Sequence, residues 1–352
     1  MESPATVDHY KAGMVLSGVG DALGFKWEFV FSGPRINEDV RRLGGVKNIT
    51  VSLPVWPVSD DTVLHLATGE ALATGKEGEE LLHEVAFHYK KGMKDMSGRS
   101  PGGATINGVH QLKPGAKGGY RIAYARGSGG CGAAMRAMCI GLRYPLPEQL
   151  SSLVAVAVET GRMTHTHPTG FLGAVASALF AAYAIQRRPI TTWGLGLVKE
   201  ACPLAKEFVK SVGYAVSETE RDWGYFTEKW EKYLELRGLS SGTGPAVFPE
   251  VYTPAVRDEV YKSFSWSGWG GSSGHDAPMI ALDSLLGAGS DWEELMSRGG
   301  FHGGDSDSTA VIACCCWGLV YGMNGVPECN YTKLEYRDRL EKCAEKLYTL
   351  SH

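Results

Sequence analysis

Four carboxylates in two short segments are the first candidates for chemistry in this chain. Val58-Ser59-Asp60-Asp61-Thr62 precedes an apolar helical pattern that begins at Val63, and Gly303-Gly304-Asp305-Ser306-Asp307-Ser308 precedes another that begins near Thr309. Either segment alone has a structural explanation: a Ser or Asp N-cap with acids in the first turn satisfies orphan amides and complements the helix dipole. Together they say more. If the two helices pack, four carboxylates share one neighbourhood, which is unfavourable unless protons or cations neutralise them. The available ligands are hard oxygens with no accompanying His–Cys set, which selects magnesium or manganese over zinc or copper. A two-ion centre fits four carboxylates, and such a centre orients oxygen-bearing substrates and lowers the pKa of bound water. His302 could join it, although a loop histidine more often makes a structural hydrogen bond.

Three further segments could hold a ligand. Gly127-Ser128-Gly129-Gly130-Cys131-Gly132 runs into a helical pattern at Ala133-Ala134-Met135-Arg136, which would aim backbone amides and a positive helix end at a phosphate. A tight helix–helix corner is the alternative. The run lacks Walker spacing, and no strand precedes it as a dinucleotide fingerprint requires. Ser265-Trp266-Ser267-Gly268-Trp269-Gly270-Gly271-Ser272-Ser273-Gly274-His275-Asp276 combines glycines, hydroxyls and two indoles, suited to a flat base and a diphosphate or, as readily, to a flexible surface loop. Arg162-Met163-Thr164-His165-Thr166-His167-Pro168 places two histidines at a helix end. They read as a metal pair or as satisfied core histidines.

Helices must position these groups. Apolar residues recur at helical spacing through Met14, Leu16, Val19 and Leu23, and again through Val63, Leu64, Ala67, Ala71 and Leu72. Similar patterns cover 79–94, 132–143, 150–161, 191–211, 219–237, 278–287, 307–322 and 333–349, while strand alternation is nearly absent. The expected fold is therefore all-α, a single compact multi-helix domain over residues 10–350. Glycine, at 46 of 352 residues, is about twice its usual ~7% share and implies close backbone approach. The Gly170–Ile185 run is too short for a membrane span of ~20 residues and reads as a buried core helix. With 35 basic against 39 acidic residues and no basic block, nothing favours nucleic acid or a membrane surface as partner. Eight cysteines without Cys-x-x-Cys spacing make neither a zinc nor a disulfide framework, and the three adjacent ones, Cys314–Cys316, read as small buried hydrophobes in a reducing compartment. No signal peptide is evident, so a cytoplasmic address is expected.

Taken in order, Gly20-Asp21-Ala22-Leu23-Gly24, Ser59-Asp60-Asp61-Thr62, Pro101-Gly102-Gly103, Gly130-Cys131-Gly132-Ala133-Ala134-Met135-Arg136, Met163-Thr164-His165 and His302-Gly303-Gly304-Asp305-Ser306-Asp307-Ser308 resemble the ADP-ribosyl-acceptor hydrolases. Lys26-Trp27-Glu28-Phe29 and the segment Ser267–Pro278 are most similar to the ADP-ribosylarginine hydrolase branch, and the resemblance spans about Tyr10 to Leu350. It implies an all-α fold with two magnesium ions, for which manganese substitutes, acting on ADP-ribosylated proteins as a monomer to release ADP-ribose from arginine. Carried over by motif, Ser59, Asp60, Asp61, Asp305, Asp307 and Ser308 hold the metals. Asp60 or Asp61 takes the proton of the attacking water, and Glu28 matches a carboxylate near the metals. Gly102, Gly130, Cys131 and Gly132 contact substrate, the last three at the diphosphate, with His165 near the distal ribose or phosphate. Trp266, Ser267, Gly271, Ser272 and Ser273 border the adenosine side. Two departures stand out: Phe25 runs directly into Lys26 where a few more residues are expected, and residues 1–9 form a lead read as disordered. Two other functions fit the same residues: a catalytically silent ADP-ribose-binding protein, and a different magnesium phosphohydrolase on a helical scaffold.

Overall fold

Two glycine-faced helices pressed together set the position of both acidic segments. The computed structural model describes residues 2–352, and among them it contains eighteen α-helices and no strand, only an isolated antiparallel bridge between Gly130 and Ser273. The first half of the chain forms α1 (Val7–Phe25), α2 (Gly33–Arg42), α3 (Asp60–Leu72), α4 (Gly78–Gly92), α5 (Gly103–Gln111), α6 (Met138–Arg143), α7 (Leu150–Gly161) and α8 (Pro168–Ile185). The second half forms α9 (Trp193–Gly196), α10 (Cys202–Val212), α11 (Val216–Arg221), α12 (Gly224–Leu236), α13 (Pro254–Phe264), α14 (Asp276–Ala288), α15 (Trp292–Gly299), α16 (Ser306–Tyr321), α17 (Glu328–Tyr331) and α18 (Arg337–Ser351).

The central pillar is α8. Pro168 opens it, the His167 ring caps it by accepting from the Thr169 amide, and every residue from Pro168 to Ala184 is buried. A helix apolar on all sides belongs in a core. It is long and apolar enough to cross a membrane by composition, yet 94% of it is buried inside the protein. Against this pillar lie α6, α7 and α16, and α1 packs along the length of α16. A Cβ on Gly20 would stand 2.8 Å from the Ala310 carbonyl oxygen, and one on Gly24 2.6 Å from that of Ser306. Only glycine permits this separation, and it sets the start of α16 beside the end of α1. The first turn of α3 meets both helices.

Three local expectations change. The proposed disordered lead does not extend through residue 9: α1 starts at Val7 behind the N-cap Thr6, and Ala5 is already buried. The helix expected over 132–143 is a short 3-10 turn at Ala134–Arg136 followed by α6. Its glycine approach is paired instead with the 272–274 segment, through Cys131 N–H to the Ser272 oxygen (3.0 Å) and Gly274 N–H to the Gly129 oxygen (3.0 Å). The run therefore delivers no helix dipole to a ligand. Finally, the pattern over 191–211 is broken by a π-helical turn at Leu197–Ala201 just before Pro203, where proline removes a donor from the ladder. All eight cysteines are free, and Cys314, Cys315 and Cys316 are buried in α16 as expected.

Candidate active site

Asp21, in the last turns of α1, organises the start of α3. Its carboxylate accepts from the Ser59 amide (2.9 Å) and hydroxyl (2.6 Å), and from the Thr62 amide (3.2 Å) and hydroxyl (2.6 Å). Ser59 in turn caps α3 by accepting from the Asp61 amide (3.1 Å). On the far side the Arg99 carbonyl accepts from the Asp60 amide (3.2 Å), while its guanidinium donates to the Val58 oxygen (2.8 Å) and to Glu335. Held from both sides, this turn presents Asp60 and Asp61 to a cleft. From α16, the Ser308 hydroxyl reaches across to Asp61 (3.0 Å).

The acids converge. Asp21, Asp61 and Asp307 each offer an oxygen within 4.8 Å of the others, as do Glu28, Asp305 and Asp307. Despite the direct passage from Phe25 to Lys26, the turn after α1 therefore brings Glu28 to the cluster. Burial, then the neighbouring carboxylates, holds the Asp60, Asp61 and Asp307 carboxyls well above their ordinary range. Burial also raises Asp21 to about 6, against the lowering effect of its four hydrogen bonds, and raises Glu28 to about 8 with help from Asp305 and Asp21. Glu28 Oε2, Asp305 Oδ1 and Asp307 Oδ1 are buried without a hydrogen-bond donor. Such atoms cost free energy unless something cationic or protonic satisfies them. Helix capping does not account for them, since Asp305 stands at the N-cap of α16 without making a side-chain cap bond and Ser59, not Asp60, caps α3. The all-oxygen donor set fits a hard divalent cation.

Above the acids opens a cleft of about 350 Å³, lined by Glu28, Asp60, Asp61, Gly102, Gly130, Cys131, Gly132, His165, Ser272, Asp305 and Ser308 among others. A larger cavity of about 630 Å³ between α3, α4 and α18 contains none of these groups. Gly130 and Gly132 line this cleft, and among the described residues their amides donate to no backbone acceptor. Cys131 is otherwise engaged: its amide is given to Ser272, and its thiol points to Asp305 at 3.3 Å. His165 bonds Thr164 Oγ1 at 2.6 Å, and burial pulls it down to about 3, so it faces the cleft neutral.

Several expected residues stand elsewhere. Trp266 and Ser267 lie outside the cleft; Trp266 packs at a tilt of 38° against Tyr225 (centroids 4.5 Å apart) beside a neighbouring cavity of about 380 Å³ that also takes in Arg126 and His167. Gly271 and Ser273 are turned inward, their amides given to the buried Asp276 carboxylate at 2.8 and 3.0 Å. They shape the loop behind Asp305 and do not face the cleft. His302 is not placed as a ligand, because one ring nitrogen pairs with Thr309 Oγ1 (2.7 Å) and the other accepts from the Gly304 amide (3.2 Å). His167 caps α8. The organising roles of Asp21, Asp276 and Arg99 were not read from the sequence. An acid within an apolar helix, as at Asp21, is a signal that could have found the first.

A family model described as ADP-ribosylglycohydrolase matches residues 2–352. The chain is 43% identical, over 97% of its own length and 93% of the relative's, to the ADP-ribosylhydrolase ARH1 of Dictyostelium discoideum. Identity to the ADP-ribosylhydrolase ARH3 of Danio rerio is 23%, over 98% and 91% of the two chains. Among solved structures, a chain of an ADP-ribosylglycohydrolase-related protein complex shares the fold at a TM-score of 0.63 and 19% identity, with 98% of this chain and 99% of that one covered.

Proposed function

This chain belongs to the ADP-ribosylglycohydrolase family, and from that premise we propose that it is a magnesium-dependent enzyme that hydrolyses the N-glycosidic bond between ADP-ribose and arginine side chains, releasing ADP-ribose and restoring arginine. The observation that carries the proposal is the meeting of Glu28, Asp60, Asp61, Asp305 and Asp307, three of them with unsatisfied buried oxygens, in one cleft with Gly130 and Gly132, whose amides have no backbone acceptor.

Two magnesium ions, with manganese as a substitute, would be held by Asp60, Asp61, Asp305 and Asp307 with the hydroxyls of Ser59 and Ser308, and would supply charge neutralisation and Lewis acidity to water and ribose hydroxyls. The amides of Gly130 and Gly132 hold the diphosphate, which the acids alone would repel. Neutral His165 donates to or accepts from the distal ribose without adding charge. Water attacks C1 of that ribose as the C1–N bond breaks, and Asp60 or Asp61 accepts the water proton. Positive charge gathers on the sugar ring in the transition state, where the surrounding carboxylates stabilise it. The leaving guanidinium is already cationic and departs as neutral guanidine, which then takes up a proton. A serine oxygen would need protonation during cleavage. Glu28 at the cleft wall offers the guanidinium N–H groups an acceptor oxygen. The eight free thiols fit a cytoplasmic address, where the enzyme acts as a monomer on ADP-ribosylated proteins.

Matched peptides carrying ADP-ribose on arginine or on serine test the linkage. Initial release of ADP-ribose at saturating magnesium is expected to be faster from arginine. Equal rates, or a faster serine substrate, would contradict the assignment.

A further inference from the structure

Part of the cleft rim has no role in the chemistry described above. Phe29 and Phe31 are 62% and 61% exposed, more than any other large apolar side chain among the described residues. Leaving Phe rings in water forgoes the free energy of their burial, and exposed apolar side chains grouped at the rim of a polar cleft mark a contact surface. Both rings lean on Trp269, with centroids 5.9 Å and 5.8 Å away and interplanar angles of 37° and 70°. Phe29 and Trp269 line the cleft with Glu28, and the buried indole N–H of Trp269 has no acceptor.

The rim is held in place. The Asp258 carboxylate accepts from the Gly33 amide at 2.7 Å and from the Gly303 amide at 2.9 Å. One side chain thus ties the segment carrying the two phenylalanines to the loop carrying Asp305. The aromatic surface keeps a fixed place relative to the acids.

We infer that Phe29 and Trp269 form the seat for the substrate's arginine side chain, and that Phe29 is a specificity-determining residue; the inference rests on the arginine reading above. A guanidinium is planar, cationic and weakly hydrated, so it stacks on an aromatic face while its N–H groups reach a carboxylate. The rim offers that face beside Glu28, whose Oε2 lacks a donor. Phe31 continues the apolar surface outward, along the path of the arginine's aliphatic stem. A serine-linked substrate offers neither a cation nor a plane and gains nothing from it.

The experiment compares wild type with Phe29→Leu, which keeps apolar bulk and removes the π face, and with Phe29→Ala. Three quantities are measured in magnesium: KM and kcat on an ADP-ribosyl-arginine peptide, inhibition by arginine amide, and the Kd of ADP-ribose. KM is expected to rise about three- to tenfold in Phe29→Leu, the range of a partly desolvated cation–π contact. Arginine amide inhibition should weaken by the same factor, with kcat and the ADP-ribose Kd changing less than twofold and Tm unchanged. Unaltered KM and inhibition in both variants, with wild type active on arginine, would overturn this inference alone. So would a parallel loss of ADP-ribose affinity, which would put the ring at the nucleotide end. Wild type that releases no ADP-ribose from arginine would overturn the proposed function and this inference with it.

Discussion

Asp60 and Asp305 separate a metal centre from ordinary helix capping, because neither side chain caps its helix. Asn keeps the volume of Asp and caps as well, yet it is a poor replacement for a carboxylate ligand. Asp60→Asn and Asp305→Asn are each expected to lower kcat by two or more orders of magnitude, with the helical circular-dichroism spectrum and Tm retained or raised, since one acid leaves a crowded cluster. Near-normal turnover in both would return the acids to a structural role. Asp21 acts differently: it grips Ser59 and Thr62, and Asp21→Asn replaces an acceptor facing both hydroxyls with an amide. Magnesium affinity, read by calorimetry, should fall ~10–100-fold, as it does when a ligand loses its orienting partner. At this scale the acid pairs and the glycine run were legible, because charge beside apolar helices is conspicuous in one dimension. The inward turn of Gly271 and Ser273 was not, because it depends on Asp276 folding back beneath the loop.

The α1–α16 contact is the element on which the site's geometry depends. Gly24 abuts the Ser306 carbonyl, one residue before Asp307, whereas Gly13 at the other end faces the movable Leu319 side chain at 2.8 Å. Gly24→Ala is expected to cost ~1–3 kcal/mol by overpacking and to weaken magnesium binding, because the displaced backbone carries Asp307. Gly13→Ala should lower Tm with little change in metal affinity. Equal metal affinities in the two variants would show that this contact does not position the site. Apolar periodicity located α1, α3 and α16 from the sequence, and an unbroken weakly polar run located α8. It passed over α2 and α15, whose mean polarity hides a narrow buried stripe, Ile36 and Val40 in one case and Leu295 and Met296 in the other. Their caps, Ser32 and Asp291, were the available cue: the Ser32 hydroxyl and Asp291 carboxylate accept from the amides three residues on.

For the whole molecule, the acid cluster couples stability to pH and to metal. A carboxyl whose native pKa is raised holds a proton that the unfolded chain has already lost, so raising pH between the two values destabilises the native state. For Asp21, raised to about 6, and Glu28, raised to about 8, that window runs from about pH 4, the unfolded carboxyl range, to about pH 8. The Tm of metal-free protein should fall across it. Magnesium binds the ionised form, so its gain in Tm should be small near pH 5 and several degrees near pH 8. A pH-independent gain would argue against a clustered site.

The most direct test of the central claim is the product analysis of one reaction, the purified protein with an ADP-ribosyl-arginine peptide before and after exhaustive chelation. The cleft chemistry predicts free ADP-ribose and unmodified arginine, loss of turnover on chelation, and recovery on adding magnesium or manganese. Release of AMP, which signals attack on the diphosphate, or full turnover by metal-free protein would contradict it.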